Sequence, residues 1–146
     1  MSDEFIPERL QEIIDDFQWV EGKEKLMYLL EFSEDLPDLP DWLEVDHDKM
    51  NQVHECMSPV FLYADLDDGK MNYYFDIPRE APTVRGFGGI LNQGLNGLSP
   101  EDVLRVHNEF YLEMGLNKVL TGQRLNGISA ILNYMKHLAR EKMEEG

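Results

Sequence analysis

Cysteine, basic residues and long apolar runs are all scarce in this chain of 146 residues. Its single cysteine, Cys56, excludes an intramolecular disulfide and fits a reducing compartment. No apolar run approaches the ~20 residues that a membrane-spanning helix needs. The acidic start MSDEFIPERL also lacks the basic and apolar regions of a secretion signal. We therefore expect a soluble cytoplasmic protein with no membrane partner.

The shortage of basic residues leaves a net charge of −16, which is distributed unevenly. Residues 1–80 carry 22 acidic and 6 basic side chains, whereas residues 81–146 carry seven of each. Phosphate binding needs a basic surface, so we expect no nucleic-acid partner. The acidic half favours either a partner with a basic face, attracted by electrostatic steering, or a surface that serves only solubility.

Apolar residues at helical spacing occur towards both ends of the chain. A first helix is predicted from near Pro7 and a second over residues 21–33. Others are predicted along VRGFGGIL, after the SPED start signal at 99–102, over 108–114, and from about 125 onwards. The segment LPDLPDWL (36–43) breaks any helix at its prolines and is apolar enough to lie across the core. The predicted apolar faces are Leu10, Ile13, Ile14 and Phe17; Leu26, Met27, Leu29 and Leu30; and Val84, Phe87, Leu91 and Leu95.

The middle of the chain is rich in β-branched and aromatic residues. Strands are predicted over residues 49–53, 59–65 and 71–77, with DDG at 67–69 as a hairpin turn. Strands grouped together between helices predict an α+β fold, with a small three-stranded antiparallel sheet packed against helices. A chain of this length predicts one domain over residues 1–146.

Motifs for metal, cofactor and hydrolase chemistry are missing or weak. His47, His54 and Cys56 are close in sequence, but without CxxC or HExxH spacing they are a weak zinc pattern, and surface histidines are the preferred interpretation. GFGG opens no dinucleotide fingerprint, and no GxSxG nucleophile elbow is present. No His–Asn or His–Asp arrangement supports a cysteine hydrolase. We therefore expect no bound metal or cofactor.

Cys56 remains as the candidate for covalent chemistry. A reactive cysteine needs positive charge or hydrogen-bond donors near its thiolate, which His54 could supply and Glu55 would oppose. Arg85 and Arg124 stand near predicted helix starts, in VRGFGG and QRLNG, where a cation is electrostatically unusual. Each of the two arginines is expected to meet an anion, which is either a substrate group or a carboxylate of the protein itself.

Five segments together resemble the SufE family of sulfur acceptors. VHECMSPVFLYAD is similar to the family's Val-x-Gly-Cys-Gln-Ser-x-Val-Trp-Leu segment, and LPDLPDWL to its Leu-Pro-x-Leu-Pro stretch. EAPTVRGFGGIL, LSPEDVL and MGLNKVLTGQRLNGISAIL resemble three further family segments. The matches run in order over roughly residues 8–138.

The resemblance implies an α+β fold shared with the IscU type of cluster scaffold. It implies that Cys56 accepts sulfane sulfur from a PLP-dependent cysteine desulfurase, SufS- or CsdA-like, and passes it to an iron–sulfur cluster scaffold. The chain would then be a carrier and an activator of the desulfurase, not an enzyme itself. Supporting positions carried over from the family motifs are Arg124 and Asn126, with Arg85 and Glu80 at the helix start.

Two residues beside Cys56 depart from the family pattern. The family's Gly before the cysteine is Glu55 here, and its Gln after the cysteine is Met57. Glycine adopts positive φ freely and Glu does so only with strain, so the loop geometry is expected to differ. We expect the loop to hold the thiol against apolar residues such as Val60 or Leu62 and to swing out when a partner docks. Burial in this position would raise the pKa of the thiol.

A second interpretation comes from a different functional class. The chain could be a non-catalytic acidic binding module in which Cys56 only fills the core, as free cysteines often do. The two interpretations differ in what they expect of the Cys56 loop, which should release the thiol in a sulfur acceptor and keep it buried in a binding module.

Overall fold

The computed structural model describes residues 5–145. Along the chain, three helices come before a small sheet and four helices come after it. The α+β class and the three-stranded antiparallel sheet are confirmed. Short 3-10 turns occur at His47–Lys49 and Leu116–Lys118. The elements are α1 (Glu8–Gln18), α2 (Lys23–Asp35), α3 (Asp41–Val45), β1 (Asn51–Gln52), β2 (Phe61–Asp67), β3 (Lys70–Asp76), α4 (Pro82–Leu95), α5 (Pro100–Arg105), α6 (Phe110–Glu113) and α7 (Gly122–Glu145).

The sheet is a meander in which β2 lies between β1 and β3. β2 and β3 pair in register from Phe61 opposite Asp76 to Asp67 opposite Lys70. Asp68 and Gly69 alone form the turn, with φ of 54° and 77°. Two positive φ values suit the right-handed twist of a tight hairpin, and this is why an Asp-Gly pair stands there.

Apolar stripes place most helices against the core as predicted. All four predicted residues of α1 and all four of α4 are buried. In α2 the prediction was largely wrong, because only Leu29 of its four residues is buried, Met27 and Leu30 are exposed, and Lys25 and Phe32 are buried instead. Lys25 is buried because its ammonium donates to the carbonyls of Phe17 and Met114, both at 2.6 Å. A cation whose hydrogen bonds are satisfied in this way can be buried, although an apolar residue was expected on this face of the helix.

α2 and α4 pack with their backbones almost in contact. A Cβ atom on Gly86 would lie 2.3 Å from the Leu29 carbonyl oxygen, and one on Gly89 would lie 2.2 Å from that of Phe32. Real Cβ atoms do not approach so closely, so only glycine permits this crossing. The crossing fixes the start of α4, which faces the Cys56 loop.

The segment 36–43 lies over the core only in part. Leu36 and Leu43 are buried as expected, but Trp42 is 48% exposed. The end of this segment also begins the short helix α3, which was not predicted because prolines precede it. Proline disfavours the interior of a helix and is tolerated just before it, where Pro40 stands.

At α5 the SPED signal is confirmed, since the Ser99 hydroxyl accepts from the Asp102 amide at 3.2 Å. Within residues 5–145, no helix has the length and apolar character needed to cross a membrane.

Candidate functional site

Cys56 lies in the loop of residues 53–60, which joins β1 to β2 as expected. The Val53 amide donates to the Val60 carbonyl at 2.8 Å and closes the base of this loop. Within it, the Cys56 amide donates to the Val53 carbonyl at 3.3 Å. The loop is therefore clamped at its ends, and it presents the thiol from a short turn between them.

The thiol is docked on the start of α7. Cys56 Sγ donates to the Gly127 carbonyl oxygen at 3.3 Å, and its side chain is half-buried against the apolar core. A Cβ atom at Gly127 would lie 3.7 Å from Sγ, so the absence of a larger side chain there makes room for the sulfur. The backbone of α7 therefore covers the sulfur, and the cover expected from Val60 or Leu62 stays a prediction.

Docking keeps the thiol protonated at neutral pH. Burial raises the pKa of Cys56 to about 11, and the neighbouring Glu55 carboxylate contributes to this rise. A thiolate has no hydrogen to donate to the Gly127 carbonyl, so ionisation would replace this contact with repulsion. In this position Cys56 is therefore a weak nucleophile.

The residues that flank Cys56 point away from the core. His54 and Glu55 are exposed, and Met57 is 78% exposed. Among residues 5–145, Asp68 is the sole non-glycine residue with positive φ, so Glu55 occupies an ordinary backbone conformation. This loop therefore accommodates Glu without strain where the family pattern has Gly.

A cavity of about 480 Å³ opens beside the thiol. Its polar side includes Arg124, which is exposed and lies in the first turn of α7. The Arg124 guanidinium donates from Nη1 to the Thr83 hydroxyl at 2.7 Å, and this bond joins α7 to the start of α4. The lining consists of Cys56, Met57, Ser58, Val84, Thr121, Gln123, Arg124 and Gly127.

Arg85 does not share this cavity. Its buried guanidinium donates to the carbonyls of Ser33 at 2.9 Å, Ile77 at 2.6 Å and Leu36 at 3.3 Å. The anion expected for Arg85 is thus replaced by three backbone carbonyls, from α2, from the end of the sheet and from the proline-containing segment. Burial is the main cause that lowers the pKa of Arg85. The geometry supports a structural clamp at this position.

The remaining sequence candidates are dispersed. Glu80 is exposed in the turn before α4, and Asn126 is exposed on α7. His47 Nε2 lies 2.7 Å from Asp76 Oδ2 at the end of β3. His47 is therefore engaged with the sheet, whereas His54 is in the Cys56 loop. No group of three or more His, Cys, Asp or Glu side chains within residues 5–145 is placed to hold a metal ion. Of the predicted residues, the structure brings Cys56 and Arg124 to one cavity.

The sequence reasoning missed two partners, Gly127 of Cys56 and Thr83 of Arg124, and it assigned Val84 to the core without placing it in the cavity lining. Gly127 stood in the RxNG motif, and a glycine in the middle of a helical pattern signals a close approach. Nothing in the local pattern distinguished Thr83 or Val84, because their role depends on how α4 packs beside α7.

The sequence matches the family model SufE, the Fe-S metabolism associated domain, over residues 11–139. It is 42% identical over 137 residues to an uncharacterised SufE-like protein of Mycobacterium tuberculosis, covering 93% of this chain and 94% of that protein. It is also similar to the cysteine desulfuration protein SufE of Plasmodium falciparum, at 33% identity over 91 residues, which is 60% of this chain and 36% of that protein.

The fold is also similar to a solved structure. The solution structure of a hypothetical protein from Thermus thermophilus superposes with a TM-score of 0.84 at 35% sequence identity. The match covers 96% of this chain and 99% of the other.

Proposed function

Because this chain belongs to the SufE family and so has a role in iron–sulfur metabolism, we propose that Cys56 accepts sulfane sulfur from a cysteine desulfurase. The carrier then delivers this sulfur to an iron–sulfur cluster scaffold. The observation that carries the proposal is the placement of the only thiol of the chain. It stands in a clamped loop, docked on Gly127 and beside a cavity that Arg124 also lines.

The transfer itself needs no outside oxidant. The Cys56 thiolate attacks the outer sulfur of a persulfide on the desulfurase. A sulfur–sulfur bond to Cys56 forms as the bond between the two desulfurase sulfurs breaks, and the desulfurase cysteine leaves as a thiolate with the electron pair. The step is a thiol–persulfide exchange, so its rate depends on the thiolate fraction of Cys56.

The docked loop supports a two-position cycle. At rest, the raised pKa keeps Cys56 neutral and unreactive towards stray oxidants and thiols. When a partner draws the loop out, Sγ leaves its buried site and the main cause of the raised pKa is removed. After transfer, the loop returns and brings the persulfide towards the cavity beside α7. Arg124, exposed at the rim, is the cation nearest in sequence to the Gly127 contact and is suited to face the negative sulfur.

Intact mass spectrometry tests the proposal directly. The protein is incubated with a cysteine desulfurase, PLP and cysteine, and is then weighed without reductant. We expect a gain of one or more sulfur atoms in the wild type and none in Cys56→Ser. An equal gain in Cys56→Ser would overturn the assignment. Failure of the wild type to gain sulfur from its own desulfurase would favour the acidic binding module.

A further inference from the structure

One face of the β2–β3 hairpin points away from the core and carries aromatic and acidic side chains. The pairing places Tyr63 opposite Tyr74 and Asp65 opposite Asn72 on this face. Alternate residues such as Leu62 are fully buried on the opposite face. The outward-facing side chains are half-buried, so they lie accessible on a rigid sheet.

Trp42 of α3 completes an aromatic cluster on this face. Its ring lies edge-on to those of Tyr63 and Tyr74, with centroid separations of 5.9 and 5.5 Å, and the two tyrosine rings are 6.0 Å apart. Trp42 remains 48% exposed although it makes both contacts. The rings therefore fix one another and still offer aromatic surface to a ligand.

Asp65 stands beside these rings as a fixed negative charge. Its Oδ1 accepts from Asn72 Nδ2 at 3.1 Å, and its Oδ2 accepts from the Tyr74 hydroxyl at 3.4 Å. Both donors are neutral, and no Lys, Arg or His within residues 5–145 forms an ion pair with Asp65. Each carboxylate oxygen keeps a second lone pair for a further donor. The charge of Asp65 is thus oriented by the protein and left without a cation.

We propose that this aromatic–acidic face, formed by Trp42, Tyr63, Tyr74 and Asp65, docks an arginine-bearing basic segment of a protein partner. A guanidinium can lie flat on an aromatic ring and at the same time direct its fork of N–H groups at a carboxylate. The charge of −16 on residues 1–80, to which all four residues belong, attracts such a segment from a distance. Arginine fits this face better than lysine, because the lysine ammonium is a point charge that stacks less well.

The face lies close to the Cys56 loop without including it. β2 begins at Phe61, directly after the loop, and Asp65 is four residues further along, or about 13 Å. A protein partner held by its arginine at Asp65 therefore covers the strand into which the loop leads. The docking surface does not require that Cys56 carry sulfur, so the two proposals stand or fall separately.

Calorimetric titration with a hexa-arginine peptide tests the surface. We expect saturable binding at low salt, weaker binding of hexa-lysine, and no binding of an uncharged hexa-citrulline peptide. Asp65→Asn and Trp42→Leu should each weaken the arginine peptide about tenfold, since each removes one half of the recognition. In a Trp19→Phe background Trp42 is the only tryptophan, and its emission should change as the peptide binds.

The matched control is Glu34→Gln, which removes the same charge from an exposed position on α2. It should alter the affinity for hexa-arginine much less than Asp65→Asn does. If Glu34→Gln and Asp65→Asn weaken binding equally, or if Trp42 emission is unchanged at saturation, the peptide is held by overall charge and the docking surface is refuted. Cys56→Ser should bind the peptide as the wild type does, whatever its behaviour in sulfur transfer.

Discussion

Two glycine contacts in this molecule have opposite characters. Where α2 crosses α4, the Phe32 carbonyl oxygen lies so close to Gly89 that a Cβ atom there would be 2.2 Å from it. Where the Cys56 loop meets α7, a Cβ atom on Gly127 would lie 3.7 Å from the sulfur, an ordinary van der Waals separation. The first contact leaves no room for any side chain larger than hydrogen. The second is an ordinary contact, so less packing holds the Cys56 loop on α7.

The difference separates the rigid helix crossing from the loop that is proposed to move. The helix crossing is reinforced by Arg85, which ties α2 and the proline-containing segment to the end of the sheet through buried hydrogen bonds. The docked thiol rests on one weak S–H donor bond and partial burial. The proposed carrier role would need this combination, because a rigid frame would direct the release of the loop while the loop itself detaches at low cost.

The largest effect is expected from a methyl group added at the helix crossing. Gly89→Ala should destabilise the protein by about 3 kcal/mol or more, since backbone atoms of α2 must move to admit the Cβ atom. Urea denaturation gives the free energy of unfolding. Gly122→Ala is the matched control, because a Cβ atom there meets nothing within 4 Å. Equal stability of the two variants would contradict the tight crossing.

A larger side chain at Gly127 should eject the loop and leave the fold intact. Gly127→Leu occupies the seat of the sulfur, so the pKa of Cys56 should fall from about 11 towards the ordinary thiol value. At pH 8 the thiolate fraction, and with it the rate of iodoacetamide alkylation, should rise by up to about 200-fold. Gly127→Ala, whose Cβ atom would make only an ordinary contact, should alkylate close to the wild-type rate.

The same docking should make stability depend on alkaline pH. The folded pKa of Cys56 lies above the unfolded one, so docking of the thiol stabilises the fold fully below pH ~8.5. This contribution should be lost as the pH rises from there through about 11. Cys56→Ser, measured in parallel, should lack that alkaline loss. A constant difference in stability between the two proteins up to pH 11 would contradict the raised pKa.

The two arginines should respond differently to the same substitution. Arg85→Lys removes the planar fork from a buried site and should cost roughly 1.5–3 kcal/mol of stability. Arg124→Lys is at an exposed site and should cost under about 0.5 kcal/mol, yet it should lower sulfur transfer to Cys56. Thermal denaturation and the intact-mass assay measure the two effects. Normal transfer by Arg124→Lys would assign Arg124 to the surface alone.

The smallest effect concerns the acidic half of the chain. Its charge should speed encounter with a desulfurase, so the association rate should fall as added salt shortens the Debye length to about 8 Å at 0.15 M. Neutralising Glu31 and Glu34 should flatten this salt dependence more than neutralising Glu113 and Glu144. Stopped-flow mixing measures the rate. A salt-independent rate would leave the acidity as a matter of solubility.

Local patterns predicted most of the fold. The stripe of α1 and the Asp68–Gly69 turn depend on spacing and on backbone conformation, and both are determined within a few residues. The burial of Lys25 was missed, because its two carbonyl partners come from distant helix ends. The boundaries of β2 and β3 shifted by up to two residues, since strand ends depend on the partner strand.

In the candidate site, too, some features could be predicted from local sequence and others depend on packing. Cys56 was found because it is the single thiol in a matched motif, and its place between two strands followed from the strand pattern. The division of roles between Arg85 and Arg124 did not follow, although both stand near a glycine at a helix start. Only the packing of α4 between α2 and α7 decides which of the two guanidiniums is buried.

The hydrogen bond between Val53 and Val60 sets the length of a tether. If the Val53–Val60 hydrogen bond holds while the loop swings out, the distance from Val53 to Cys56 cannot exceed the length of three extended residues. A fully extended chain of three residues spans about 10–11 Å. A donor sulfur must therefore come within that radius of the end of the sheet, extended only by the reach of the cysteine side chain. A desulfurase that keeps its persulfide deeper than this has to admit the body of the carrier, or bring the sulfur out on a mobile arm of its own.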